Sequence, residues 1–94
     1  LLEGRYRKAV GSSKQREIVL KCLADSRDDN GECFTTKAYK MALDKDVENS
    51  SQYIGQLVAN EYGAEVEKIR DKYYRFKDPL FHSYVLVHPY LHNQ

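Results

Sequence analysis

The sequence lacks the features that would place it at once in a membrane, enzyme or nucleic-acid-coat class. No apolar run approaches membrane-spanning length, and nothing resembles a signal peptide, so we expect no membrane partner. The net charge is only +1, far from the strongly basic balance of a dedicated nucleic-acid coat. No nucleophile motif is present. We therefore expect these residues to be non-catalytic and to carry no cofactor.

Cysteine is scarce, and its spacing excludes the usual metal sites. Cys22 and Cys33 do not belong to a pair of C-x-x-C motifs. The preferred interpretation is two buried thiols in a reduced, cytoplasmic protein. A disulfide between them stays open, because a helix end and the adjoining strand can lie close together. No metal site is expected from the three histidines either, since Pro89 interrupts the helix that would align two of them.

What the chain does contain is enough for one folded domain. Its 94 residues leave no room for two independent cores, and its aromatic content of 12 % argues against wholesale disorder. The chain begins with Leu1 and not with Met, which suggests a fragment or a processed product. Residues 1–16 and 65–77 are basic, whereas residues 25–32 are acidic. One positive face on a nearly neutral molecule is therefore possible.

Caps and periodicity predict three core helices. Ser12 precedes Gln15 by three residues, a capping-box spacing that starts the first helix. Thr35 or Thr36 caps the second, whose inner side uses Ala38, Tyr39, Ala42 and Leu43. Asn49 caps the third helix, and the Gln52 side chain is expected to bond back to the backbone of the cap residue. This helix offers Ile54, Leu57 and Val58 to the core. Its predicted solvent side is Ser50, Ser51, Gln52, Gly55 and Gln56.

A hairpin and a last helix follow. Residues 64–69 alternate with period two except at Ile69, residues 70–72 form a turn, and residues 73–76 return as the partner strand. Asp78 caps the final helix with Pro79 at its first position. The apolar face of that helix is Leu80, Phe81, Tyr84 and Val85.

This order of elements predicts an α+β winged helix-turn-helix: a three-helix core, a two-stranded β-hairpin wing and a C-terminal helix. Glu32 to Phe34 supplies a short extended piece between the first two helices. The predicted domain covers residues 12–87. Residues 1–11 are expected to be a linker or the end of a preceding helix, and residues 88–94 a disordered C-terminal tail.

The segment 73–81, Tyr-Tyr-Arg-Phe-Lys-Asp-Pro-Leu-Phe, resembles a known junction. It is similar to the C-terminal winged-helix region of archaeal P-loop ATPases, where a strand ending Tyr-Arg-Phe runs into Asp-Pro-Leu and a helix. The resemblance spans roughly residues 13–87, of which 73–81 are distinctive. It implies a parent ATPase with its nucleotide-binding module before residue 1, since this chain has no G-x-x-x-x-G-K-[ST] motif. The segment 59–65 departs from the family by being longer and more polar.

The leading functional hypothesis is binding of double-stranded DNA, with the third helix in the major groove and the wing on the backbone. Gln52 and Gln56 share a helix face and can pair with adenine, while Ser50 and Ser51 can bond phosphate beside the helix N-terminus. Nonspecific phosphate attraction is assigned to a basic set: Lys37, Lys40, Arg70, Lys72 and Arg75.

Two alternatives stay open. The third helix contains no Lys or Arg, and winged helices also serve as protein-docking modules. The chain is then a regulatory or oligomerisation module that docks onto its own ATPase domain or another protein. A stand-alone transcription regulator is the other alternative.

Overall fold

The computed structural model describes residues 1–92, which form an α+β unit of five α-helices and one three-stranded sheet. The elements run, in chain order, α1 (Leu2–Val10), α2 (Lys14–Asp25), β1 (Cys33–Phe34), α3 (Thr35–Leu43), α4 (Ser50–Leu57), a 3-10 turn (Asn60–Tyr62), β2 (Val66–Arg70), β3 (Tyr73–Phe76) and α5 (Pro79–Val87). The three predicted core helices correspond to α2, α3 and α4. This arrangement is compatible with a winged helix.

The sheet is antiparallel throughout, with β3 between β1 and β2. Val66 lies opposite Phe76, and Arg70 lies opposite Tyr73 at the turn end of the hairpin. The register shifts between Lys68 and Arg70, so the interruption of alternation at Ile69 corresponds to a bulge. The hairpin prediction is therefore confirmed, and the predicted short extended piece adds a third strand to it.

The helix boundaries follow local capping chemistry, with one correction. Ser13, not Ser12, caps α2, because its Oγ accepts a hydrogen bond from the Arg16 N–H at 3.0 Å. The predicted cap of α5 is confirmed: the Asp78 carboxylate accepts from the Leu80 N–H at 2.9 Å, with Pro79 following it. Neither Thr35 nor Thr36 caps α3, which begins directly after Phe34 at the end of β1.

The segment 1–11 was expected to be a linker or the end of a preceding helix. Its residues 2–10 form α1 and contribute side chains to the hydrophobic core of the domain. Tyr6, Ala9 and Val10 are fully buried against α2 and α5. Gly4 does not end the helix, because it lies on the exposed side and the anchoring comes from the buried side. Burial of an apolar face outweighs the roughly 1 kcal/mol that a helical glycine costs relative to alanine.

The expectation of a disordered tail does not hold for residues 88–92, here called the C-terminal strap. Its backbone is held by the fully buried Glu17, which accepts hydrogen bonds from the Leu91 N–H at 2.7 Å and the His92 N–H at 3.0 Å. The His88 ring stacks on Tyr6 with centroids 3.9 Å apart. Residues 93–94 of the predicted tail lie outside the described residues.

Two charged side chains of α2 are buried and satisfied. Arg16 donates to the carbonyls of Ala9 and Val10 at 2.9 and 2.8 Å, which secures the C-terminal end of α1. Glu17 also accepts from the Tyr6 hydroxyl at 2.7 Å. Within residues 1–92, no helix is both long and apolar enough to cross a membrane.

Candidate nucleic-acid interface

The third predicted helix, α4, packs on α2 through Ile54 and Leu57 and exposes Ser51 and Gln52. Its expected capping box takes a different form. The Asn49 side-chain amide donates to Gln52 Oε1 at 2.9 Å, so the two side chains bond each other and leave the backbone of the first turn uncapped by either. Within residues 1–92, no side chain caps this helix N-terminus.

Two residues expected on the solvent side of α4 are placed differently. Ser50 is 4 % exposed, and its Oγ is the one buried side-chain polar atom of the described chain that lacks a hydrogen-bond partner. Leaving such a group unsatisfied typically costs about 1–3 kcal/mol. Gln56 is half-buried, and its Oε1 accepts from Arg16 Nη1 at 2.7 Å. Gln56 is thus bound to the buried arginine of α2.

A cleft of about 230 Å³, here called the Ser50 cleft, opens beside the start of α4. It lies between α3 and the segment that leads into α4, and its lining is Tyr39, Lys40, Leu43, Val47, Glu48, Ser50 and Ser51. Leu43, predicted to face inward, is 57 % exposed at its rim, because Val47 fills the position beneath the turn. The cleft therefore combines one cation, one anion, hydroxyl groups and apolar surface.

A second cleft, of about 340 Å³, separates the start of α3 from the β2–β3 hairpin. Its lining is Thr35, Thr36, Tyr39, Lys68, Asp71, Lys72 and Tyr74. Tyr39 lines both clefts, so they adjoin on one side of the molecule. Burial, the largest cause, raises the pKa of the Tyr39 hydroxyl, which therefore stays protonated at neutral pH.

The arginines of the hairpin are exposed but paired within the chain. Arg70 forms a bidentate ion pair with Glu32, at 2.7 and 3.2 Å, and its guanidinium lies 4.1 Å from the Tyr73 ring centroid. Arg75 pairs with Glu67 at 3.2 Å. Exposed pairs of this kind contribute about 0–1 kcal/mol and are screened by salt, but each is neutral overall, so it attracts a phosphate much less than an unpaired lysine does.

The lysines carry the uncompensated charge. Lys37, Lys40, Lys68 and Lys72, here called the lysine face, are exposed and form no ion pair within residues 1–92. Lys72 occupies the hairpin turn with φ 68° and is exposed there. Lys68 was not among the predicted site residues. Strict alternation places it on the same side as the buried Val66, so no strand pattern marks it as exposed.

The predicted residues therefore divide into two groups. The structure brings the exposed Lys40 and Ser51 to the Ser50 cleft and Lys72 to the adjoining cleft, while Lys37 and Gln52 are also exposed. Ser50, Gln56, Arg70 and Arg75 are buried or engaged within the chain. The predicted site residues that are exposed and unpaired are thus lysines and residues at the start of α4.

The cysteines and two of the histidines are buried or bonded within the described part of the chain. No group of three or more metal-ligating side chains occurs among residues 1–92. The rings of His82 and His92 bond the carbonyls of Ala24 and Gly11. Cys22 and Cys33 are free, buried thiols, and burial raises the pKa of each to about 11.

A separate apolar patch lies on α5. Leu80, predicted to face inward, is 70 % exposed, and Val87 is 79 % exposed one heptad later. Phe81 and Val85 take the buried side of the helix instead.

Comparisons of the chain with protein-family models, with curated proteins and with solved structures found no match.

Proposed function

We propose that this chain is a winged helix-turn-helix domain that binds duplex DNA chiefly through backbone phosphates. The observation that carries the proposal is the lysine face, because it spans α3 and the hairpin beside the uncapped start of α4. Phosphate neutralisation supplies most of nonspecific DNA affinity. Exposed lysines without an internal partner meet that need directly.

The order and packing of the elements support this proposal. α3 and α4 are joined by residues 44–49, and both pack on α2. The hairpin follows them and pairs with β1, as a wing does. The resemblance of residues 73–81 to the archaeal ATPase junction supports a further proposal, that the parent protein is such an ATPase. A nucleotide-binding module upstream of Leu1 in the parent reading frame would test it.

The proposal is tested by fluorescence anisotropy with a labelled random duplex at two salt concentrations. If four lysines contact phosphates, affinity falls roughly 100-fold between about 50 and about 200 mM salt. The double variant Lys68→Ala/Lys72→Ala should reduce the logarithmic salt slope by about 2. The matched control is Lys8→Ala/Lys45→Ala, which removes the same charge from exposed positions outside the lysine face.

An absence of binding at low salt refutes the proposal. So does an equal loss of slope in the control, because net charge alone would then explain the binding.

Protein docking is the second candidate, and the apolar patch on α5 favours it. Leu80 and Val87 are large, exposed and on one side of the helix. This candidate expects binding to a protein partner that changes little with salt. Leu80→Ser should weaken that binding and leave the duplex titration unchanged.

A further inference from the structure

We propose that the Ser50 cleft is a phosphate-binding subsite, formed by the start of α4 together with Ser50, Ser51 and Lys40. This inference rests on the proposed DNA-binding function, because it says where one phosphate group of that ligand is held. The same chemistry would also bind free phosphate, and the experiment below separates the two sources.

The first observation is the helix start itself. The N–H groups of a first helical turn point along the helix axis and carry partial positive charge, which favours an anion. A side chain at the cap position usually takes part of that role. Here Asn49 bonds the Gln52 side chain instead. The Gln52 N–H bonds the Asn49 carbonyl at 3.1 Å, so the N–H groups of Ser50 and Ser51 are the ones left for an external acceptor.

The second observation is independent of the first. Ser50 lines the cleft, is 96 % buried, and has a hydroxyl without a hydrogen-bond partner. Buried polar groups in folded proteins are nearly always paired, so an unpaired one calls for a partner, which is an ordered water or a ligand. The Ser50 oxygen is closed off from solvent, so rotation about the Cα–Cβ bond would have to turn it towards the cleft, where it can donate to a phosphate oxygen.

The charges of the cleft select the ligand. Lys40 is exposed on its wall and can pair with a phosphate as a point charge. Glu48 also lines the cleft and opposes an anion. A neutral ligand would be indifferent to both residues, and a cation would reverse their effects. Opposite changes at Lys40 and Glu48 therefore identify the sign of the ligand.

The cleft volume also suits a small ligand group. At roughly 30 Å³ for each water of the liquid, its 230 Å³ admits one phosphate group with space left for solvent. The opening beside exposed Ser51 allows the phosphate to remain part of a longer chain.

The experiment is a titration of the isotope-labelled protein with inorganic phosphate, followed through backbone amide resonances at constant ionic strength. We expect saturable shifts at Ser50, Ser51 and Gln52. Ser50→Ala should lower the affinity for phosphate roughly fivefold, the effect of one hydrogen bond. Lys40→Ala should lower that affinity about threefold, and Glu48→Gln should raise it by about twofold. Lys45→Ala is the charge-matched control and should leave phosphate affinity unchanged.

Thermal unfolding of the same variants keeps the result interpretable. Ser50→Ala removes an unpaired buried hydroxyl, so its Tm should stay equal or rise while its phosphate affinity falls. A residue with only a structural role would not show that combination. If the Ser50→Ala protein binds phosphate as well as the wild type, or if no saturable shift occurs at the start of α4, the subsite is refuted.

A duplex titration of the same variants identifies the source of the phosphate. If Ser50→Ala also weakens duplex binding severalfold, the ligand is a backbone phosphate of DNA. If phosphate affinity falls but duplex affinity does not, the cleft takes free phosphate and lies outside the DNA interface. Duplex binding without any phosphate response refutes the subsite and leaves the proposed function standing.

Discussion

Replacement of Glu17 by alanine tests the contact that joins α1, α2 and the C-terminal strap. The Glu17 carboxylate is fully buried and accepts from the Tyr6 hydroxyl, the Leu91 N–H and the His92 N–H. The variant leaves the hydroxyl of a fully buried ring without an acceptor, which costs about 1–3 kcal/mol. Lost packing of the side-chain stem adds to this. The two strap amides can turn to water, so they add less.

The expected loss in the free energy of unfolding is about 2–4 kcal/mol. For a domain of this size, that loss lowers Tm on the order of 10–25 °C. Urea unfolding of Glu17→Ala and of Glu17→Gln, with an exposed control at Glu61→Ala, measures it. Amide hydrogen exchange at Leu91 and His92 reports the strap separately, and both amides should lose protection in the alanine variant.

A double-mutant cycle isolates the phenol from the strap. Tyr6→Phe keeps the stack on His88 and removes the hydroxyl, so the cost of Glu17→Ala should be smaller in that background by about 1 kcal/mol or more. The reasoning is refuted if Glu17→Ala is no more destabilising than Glu61→Ala, or if the two strap amides exchange as slowly as in the wild type.

Three further outcomes are expected. Gly11→Ala should destabilise by more than about 1 kcal/mol, because φ is +58° and a Cβ would lie 2.6 Å from a buried arginine, whereas Gly55→Ala should stabilise by about 0.5–1 kcal/mol in urea unfolding. Cys22 and Cys33, with thiol pKa values near 11, should resist a thiol-specific chromophore at pH 8 until the protein unfolds. Hydrogen bonds from a tyrosine, first, and from a histidine lower the pKa of Glu3 to about 2. The folded state therefore favours the ionised form of Glu3, so the free energy of unfolding should fall as the pH drops from about 4.5 towards 2. Glu3→Gln should make the free energy of unfolding less dependent on pH in that range.

Local chemistry accounts for the parts of the fold that the sequence predicts. Asp78 followed by Pro79 defines the start of α5, because the Asp78 carboxylate accepts a hydrogen bond from the N–H of Leu80, only two residues later. The alternation of residues 64–69 defines β2. The missed elements depend on distant partners. α1 forms despite Gly4 because Tyr6 is buried beneath α5 and the C-terminal strap. The strap is in turn held by Glu17, which lies more than 70 residues earlier in the chain. No local pattern carries those contacts.

The candidate site shows the same division. Exposure of the lysines follows from their own chemistry, since long charged side chains are seldom buried. The partners of the arginines do not follow: Arg70 meets Glu32 across 38 residues of sequence, and only the pairing of β1 with β3 brings them together. Ser50 is a different case, because its burial does follow from helical spacing. It lies four residues before Ile54 and seven before Leu57, on the same face of α4, and the prediction of solvent exposure followed its polar side chain instead.

The state of the two glutamines on α4 bears on what kind of DNA recognition is possible. A glutamine reads adenine through its carbonyl and amide together, which is worth about 1–3 kcal/mol against the wrong base. Gln52 Oε1 already accepts from Asn49, and Gln56 Oε1 from the buried Arg16. Each oxygen keeps a second lone pair, but its internal bond holds the amide in one orientation, so pairing with a base competes with that bond. Phosphate contacts from the lysine face carry no such cost, so we expect the proposed DNA binding to use the backbone and to show weak sequence preference. Duplexes of different sequence should then differ in Kd by less than about fivefold, below the effect of one good bidentate pair.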